Sequence, residues 1–306
     1  MRKRNPLVHL LPILIFASLS ACSNPEPALP TLDTGEISQL GSNCQDIYTR
    51  MIAAWDSRDA GNFRQVYTDD IVHHDGAPYS TGIDSLMNMG IDMFSSFTRW
   101  QMLAGDTYIS RDQCLGTWLN WGIFGLTEDN PGLEYDLLDI RDGKVSYWRL
   151  FYQQQFFEAL SMSEKAETEL LTLFADTWSS GDADAVYGLY SRSKLVEDSL
   201  FNIYLKKISG IKDYISAFLA RSPGATWQLV EPFAEAEVKQ ALVNGKMVDM
   251  PTASEGGVFA ITVADAQGNP CQIRTVAILT YDDLGKVKNQ KMYYDADSLI
   301  ACGWAE

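Results

Sequence analysis

Ala54-Trp55-Asp56-Ser57-Arg58-Asp59-Ala60 recurs 123 positions later as Thr177-Trp178-Ser179-Ser180-Gly181-Asp182-Ala183. The echo continues outward in order. Tyr67 matches Tyr190 and Asp75 matches Asp198; Gly82-Ile83 matches Gly210-Ile211, and Trp100-Gln101 matches Trp227-Gln228. Gly143-Lys144-Val145 then matches Gly285-Lys286-Val287, and Phe151-Tyr152 matches Tyr293-Tyr294. Chance does not keep such an order, so the chain carries one unit twice. A period this long means two whole domains rather than a solenoid.

Each unit has the same coarse plan. Ile47, Met51, Ile52 and Trp55 fall at helical spacing, as do Leu170, Leu171, Phe174 and Trp178, so each unit opens with a one-faced helix. Asp59 and Asp182 suit the N-cap of a short second helix, where a carboxylate accepts free backbone N–H groups. A short strand follows (Ile71 to Asp75, Leu195 to Asp198), then a third helix after the shared Gly-Ile. Strands are predicted at Arg99–Ser110, Gln113–Gly125, Leu133–Ile140 and Lys144–Gln154, and again at Thr226–Val238, Gly257–Ala264, Gln272–Tyr281 and Lys286–Tyr294. Turns such as Asp142-Gly143 join them.

This order, with W-x-S-x-D-A from Trp55, Y-x-x-D-x-V-x-H-D-G from Tyr67 to Gly76, and the closing D-G-K-V…F-Y, resembles the SnoaL-like branch of the NTF2-like superfamily. The resemblance covers nearly all of the chain after residue 42. It implies an α+β fold: two tandem cone-shaped domains, each with three helices packed on a curved antiparallel sheet. It also implies an apolar pocket at each cone's open end, lined by aromatics, with one or two acid/base groups facing inward. Such folds host isomerases, cyclases, dehydratases, hydrolases and binding modules, so the fold does not name the reaction.

Ahead of the repeats stand Arg2-Lys3-Arg4, an apolar run from Leu7 to Phe16, and Leu19-Ser20-Ala21-Cys22. This reads as an export signal over 1–21 whose end resembles a lipobox, with Cys22 acylated. Ser23 then favours the periplasmic face of the outer membrane. Residues 22–42, rich in Pro, Ser, Gly and acidic residues, read as a flexible tether. The domains are set at 43–160 and 161–299, with a tail at 300–306. The whole chain carries a net charge of −16, and loss of residues 1–21 takes three basic residues and no acidic one, leaving −19. An acidic surface repels phosphate backbones, so nucleic acid is not an expected partner. The membrane is expected to hold the protein through lipid alone.

Cys44, Cys114, Cys271 and Cys302 remain after Cys22. An oxidising compartment permits pairing, and three connectivities are open. Cys44–Cys114 and Cys271–Cys302 keep each bond inside one unit; four buried thiols are the alternative.

The processed chain would hold only two histidines, His73 and His74. Strand neighbours point to opposite faces, and no H-e-x-x-H run occurs, so neither a metal nor another cofactor is expected. His74 and its counterpart Glu197 are candidate acid/base groups. Asp56 is a third, because an Asp at this place in dehydratase-like relatives works with a His on a later strand. That His is absent here, Ser179 replaces Asp56 in the second unit, and a solvated helix-end carboxylate is the preferred role for Asp56. Tyr67, Trp100, Trp118, Arg149 and Tyr152 are candidate ligand contacts in the first unit, with Tyr190, Trp227, Lys291 and Tyr293 in the second. Arg149 and Lys291 keep a cation at matching places. No G-x-S-x-G, G-x-G-x-x-G or P-loop motif occurs.

Three functions fit. The first is a binding module holding a small, largely apolar or weakly acidic molecule. The second is a cofactor-independent acid/base enzyme of isomerase, cyclase or dehydratase type. The third is a structural pseudo-dimer, its two domains packed sheet to sheet, that docks another envelope protein.

Overall fold

The structure is a computed structural model and describes residues 28–75, 80–159, 168–235, 240–243, 246–249 and 254–306. The signal region 1–21, the lipidation site Cys22 and the 160/161 domain junction lie outside the described residues. Among the described residues no helix is long and apolar enough to cross a membrane.

Both repeats follow the expected order. The first runs α1 (Thr34–Asp56), α2 (Phe63–Val66), β1 (Tyr67–His74), β2 (Ser80–Thr81), α3 (Ile83–Ser96), β3 (Gln101–Ile109), β4 (Gln113–Trp121), β5 (Gly132–Arg141) and β6 (Lys144–Gln153), then a short α4 (Gln154–Ala159). The second runs α5 (Thr168–Ser179), α6 (Ala183–Gly188), β7 (Tyr190–Asp198), β8 (Ile203–Leu205), α7 (Ile208–Arg221) and β9 (Thr226–Ala234). It continues through a hairpin of β10 (Gln240–Val243) and β11 (Lys246–Asp249), then β12 (Glu255–Ala264), β13 (Pro270–Tyr281), β14 (Val287–Tyr294) and α8 (Ala296–Ala301). Each half is α+β: helices lie on one face of a curved antiparallel meander.

Local chemistry sets these elements. Asp59 caps a single 3-10 turn ahead of α2 by accepting from the Gly61 N–H, and Asp182 caps α6 by accepting from the N–H groups of Asp184 and Ala185. The β5–β6 turn places Asp142 and Gly143 both at positive φ, 53° and 73°. That is the demand of a tight hairpin turn, which Asp-Gly meets at low cost.

Strand register repeats along with the sequence. In the first half β1 runs parallel to β6, pairing Tyr67 with Val145, His73 with Trp148 and His74 with Arg149. In the second half β7 runs parallel to β14, pairing Tyr190 with Val287, Val196 with Gln290 and Glu197 with Lys291. Each ladder is interrupted near the same place, after Tyr67 and beside Val287. Position-by-position equivalence between repeats therefore rests on hydrogen-bonded pairing as well as on letters.

The two meanders join at both edges. β6 pairs with β9 through Tyr152–Ala234 and Gln153–Phe233, and β14 meets β3 at Tyr294–Ile109. The ring β3-β4-β5-β6-β9-β12-β13-β14 closes on itself, which removes the exposed edges that invite aggregation. Inside it, Tyr108, Leu115, Tyr135, Leu137 and Phe151 of the first repeat pack with Phe233, Val258, Val276, Ile278 and Tyr293 of the second. Tyr135 stacks on Phe233 at 4.0 Å. The opposite faces of both sheets are buried beneath the helices in one contiguous cluster. The repeats are thus fused through strand pairing and core rather than strung as two beads.

Two expectations are corrected at the ends. The tether over 22–42 fails from Leu32 onward, because α1 starts at Thr34 and Leu32 and Ile37 are fully buried. The tail over 300–306 is not free either. Leu32 bridges Ala305, Thr34 donates to the Glu306 carbonyl at 3.0 Å, and Trp304 is buried. An apolar period too short to register was enough to pin both ends together. Cys44–Cys114 and Cys271–Cys302 are disulfide-bonded, each with a Cα–Cα distance of 5.6 Å.

Candidate functional site

The interior of the first cone is an aromatic box with polar groups set into its sheet wall. Trp55 on α1 lies 4.6 Å from Phe63, 5.5 Å from Trp100 and 5.7 Å from Trp148, and donates to the Tyr67 hydroxyl at 2.8 Å. Trp118 and Trp148 stack at 5.8 Å. Trp100 donates to the Asn120 amide oxygen at 2.9 Å. The side chains of Tyr67, Trp100, Trp118 and Tyr152 lie in one buried cluster.

Strand alternation brings residues here that the motifs did not single out. His73, on β1, points inward against Trp148, ring centres 4.4 Å apart. Glu134 and Asp136 alternate with Tyr135 and Leu137 on β5, so the two carboxyls face the helices while the apolar pair faces the other sheet. Tyr48 on α1 donates to the Asp136 backbone carbonyl; its ring fits because residue 116 is glycine, where a Cβ would meet it at 2.2 Å. Tyr152 donates to Asp75.

Burial sets the titration of this group. It drives Glu134 well above the usual carboxylate range, and the charges of Asp136 and Asp75 push the same way. Burial likewise raises Asp136; the Trp148 indole and the Glu134 carboxyl beside it draw it part of the way back. Both carboxyls therefore hold their protons to higher pH than an ordinary carboxylate. Burial and the neighbouring His74 lower His73 to about 3, which keeps its ring neutral. Asp75 is raised by burial, against the Tyr152 hydrogen bond.

Several buried atoms in this interior have no hydrogen-bond partner of full geometry among the described residues. They are both Asp136 oxygens, His73 Nε2, Trp118 Nε1, Trp148 Nε1 and Asn120 Nδ2. Each such group normally costs about 1–3 kcal/mol, and native interiors keep few of them. Among the described residues no three His, Cys, Asp or Glu side chains are grouped to hold a metal ion.

The second cone lacks the carboxyl pair, the inward histidine and the Asn120 amide. Register places Val196 at His73, Gln290 at Trp148, Thr275 at Glu134, Ala277 at Asp136 and Ile261 at Asn120. Gln290 accepts from Tyr190 at 2.5 Å, and Trp227 packs among Phe174, Trp178 and Phe259. What both cones keep is an Asp–Tyr pair: Asp75 with Tyr152, and Asp198 with Tyr294.

The remaining candidates sit elsewhere. His74 and Arg149 share the outer side of their ladder and meet Glu235 from the second repeat: His74 Nδ1 lies 3.2 Å from Oε1, and Arg149 Nε donates to Oε1 at 2.8 Å. His74 thus faces the seam between repeats, because strand alternation put His73 inside. Burial lowers His74, Glu235 raises it, and Arg149 lowers it. Glu197 and Lys291 pair at 3.1 Å in the matching outer position. Tyr293 faces the shared inter-sheet core and donates to Gln113 at 2.6 Å. Asp56 is exposed at the end of α1.

One sequence signal for the missed pair existed. Leu133-Glu134-Tyr135-Asp136-Leu137-Leu138 sets two carboxylates at strand spacing inside an apolar run. Only burial of both sheet faces makes that spacing costly.

Solved structures similar to this chain include a SnoaL-like polyketide cyclase from Jannaschia sp. CCS1 (13% identity, 41% of this chain and 95% of that one, TM-score 0.34). They also include an isomerase of the SnoaL-like family from Agrobacterium tumefaciens (13% identity, 36% and 97%, TM-score 0.32). A third is an NTF2-like protein of unknown function from Mesorhizobium loti (12% identity, 37% and 93%, TM-score 0.31). Each spans less than half of this chain. No family model matches the sequence, and no curated protein does.

Proposed function

We propose that the first repeat is a cofactor-independent acid/base site for a small carbonyl-bearing molecule, of isomerase, cyclase or dehydratase type, and that the second repeat is its fused structural partner. The carrying observation is the fully buried Asp136 carboxyl, raised by burial, with the Glu134 carboxyl and the Trp148 indole beside it. A carboxyl raised by burial exchanges its proton nearer neutral pH, as a general acid or base needs. The Trp148 indole stands beside the Asp136 carboxyl, and the buried N–H groups of Trp118 and Asn120 have no partner of full geometry among the described residues; fixed donors of this kind stabilise oxygen as it gains charge. The surrounding indoles favour a flat, largely apolar body. The second cone argues by contrast, since Ala277, Thr275 and Ile261 stand where those groups would be.

Solvent-deuterium exchange at the α carbon of small ketones, beginning with 1-indanone and followed by NMR, tests the acid/base reading. Acceleration over buffer that disappears in Asp136→Asn supports it. The reading falls if no ketone in an aromatic and alicyclic panel exchanges faster and protein purified from its own envelope retains no small molecule in native mass spectrometry.

For its place in the cell we propose a lipid anchor at Cys22 on the periplasmic face of the outer membrane. The support is Arg2-Lys3-Arg4, the apolar run Leu7 to Phe16 and Leu19-Ser20-Ala21-Cys22. A diacylglyceryl mass on an N-terminal Cys22 peptide is the expected result, and an intact unmodified N-terminus overturns it.

A further inference from the structure

The two seams of the closed ring are related by the repeat, yet they are finished differently. At the seam beside the first cone, the residue after β9 is Glu235. Its N–H donates to the Ser254 carbonyl at 2.9 Å, and its carboxylate accepts from the Ser254 N–H at 3.1 Å. At the other seam the residue after β3 is Ser110. Its N–H donates to the Gln113 carbonyl at 3.0 Å, and its hydroxyl accepts from the Gln113 N–H at 3.0 Å. The backbone frame is the same; only the length and charge of the side chain differ.

Glu235 uses that reach. Its buried carboxylate accepts two bonds from the Arg149 guanidinium and lies against His74. Arg149 also donates to Ser254 Oγ at 3.1 Å. His74 and Arg149 are register partners, and the residues just before them, His73 and Trp148, are the register partners that turn inward. One carboxylate from the second repeat therefore grips, from outside, the two strands that carry His73 and Trp148 into the first cone. Ser110 cannot reach across its seam. Glu197 and Lys291 pair there without it, beside an open cleft of about 340 Å³ lined by Ser110, Gln113, Asp139, Tyr204 and others. The gripped seam borders the cone that holds the Glu134–Asp136 pair, and the open seam borders the cone that lacks it.

We propose that Glu235 is a positioning residue for the first cone, so that the second repeat completes the first repeat's site. This rests on the acid/base reading above and adds to it a reason for the fusion: neither repeat alone holds both the carboxyl pair and the grip.

Glu235→Gln keeps the shape and removes the charge. In 1-indanone α-deuterium exchange its kcat is expected to fall at least tenfold with KM little changed, while Ser110→Glu, at the opposite seam, leaves both as in the wild type. Glu235→Asp, which restores the charge on a shorter arm, should recover part of the loss. An unchanged kcat in Glu235→Gln alongside a lowered Tm would show a brace without influence on the site and overturns the proposal. If the wild-type protein exchanges no ketone of the panel and retains no small molecule, the acid/base reading fails, and the His73 imidazole NMR resonances decide positioning separately. A displaced His73 signal in Glu235→Gln supports it, and an unmoved one overturns it.

Discussion

Tyr294 donates a 2.7 Å hydrogen bond to the Asp198 carboxylate, and its counterpart Tyr152 donates to Asp75 in the first repeat. This pair joins the end of the last meander strand to the first strand in both cones. It survived duplication while the rest of the polar interior diverged, which marks it as part of the shared frame. Tyr214 reinforces it in the second repeat, donating to the same Asp198 oxygen at 3.0 Å.

Asp198 makes stability fall with rising pH. Burial lifts its carboxyl to about 7, against the two tyrosine hydrogen bonds and a backbone N–H. The folded state therefore holds the proton more tightly than the unfolded chain does. The associated stability is complete below the ordinary carboxylate pKa of about 3.9 and is lost as pH rises through about 7. At roughly 1.4 kcal/mol per unit this approaches 4 kcal/mol in order of magnitude. Calorimetry from pH 4.5 to 8.5 should show wild-type Tm declining relative to Asp198→Asn, with the difference flattening above pH 8. Parallel curves would disprove the assignment.

Replacing Glu134 and Asp136 with their second-repeat equivalents, Thr and Ala, should stabilise the fold and abolish ketone exchange together. Each change removes a buried group that is raised by desolvation. Sites that keep such groups trade stability for function. A gain of about 1–2 kcal/mol, or roughly 2–8 °C in Tm for a chain of this size, is the expectation above pH 7. Falling Tm in both single variants would mean the carboxyls are structural.

Glu235→Ala should cost about 3–5 kcal/mol in urea unfolding, because it removes the carboxylate that balances the Arg149 charge in a largely buried position. Glu235→Leu with Arg149→Leu should recover much of that loss, since removing both members of a buried pair is far cheaper than removing one. Equal losses in the single and double variants would show that the ion pair is not the source.

Reduction should destabilise both repeats. The Cys44–Cys114 and Cys271–Cys302 bonds span sequence separations of 70 and 31 residues, for which chain entropy gives about 4 kcal/mol each. Paired Cys→Ser variants should lower Tm by about 8–16 °C per bond on the same scale. Mass mapping that finds free thiols at these positions would remove the basis of the estimate.

Much of the architecture was legible because it is written in local chemistry. The capping aspartates Asp59 and Asp182, the Asp142-Gly143 turn and the spacing of Trp55 and Trp178 each act within a few residues. The site was less legible. His74 stood out as one of two histidines, but strand alternation turned His73 inward and His74 toward Glu235. Glu134 and Asp136 resembled ordinary strand-surface acids until the closed ring buried both faces of their sheet.

The sequence by itself determined the duplication, the element order, the α+β class and the in-repeat cysteine pairs available for bonding, because propensity, capping and periodicity are short-range. Tertiary structure alone decided that the Glu134–Asp136 pair is buried, which histidine enters the first cone, and that the second repeat reaches back through Glu235. Those outcomes depend on which strand faces are buried and on contacts between residues as far apart as Arg149 and Glu235. No local pattern encodes the dielectric around a carboxyl or the partner a side chain meets across a seam.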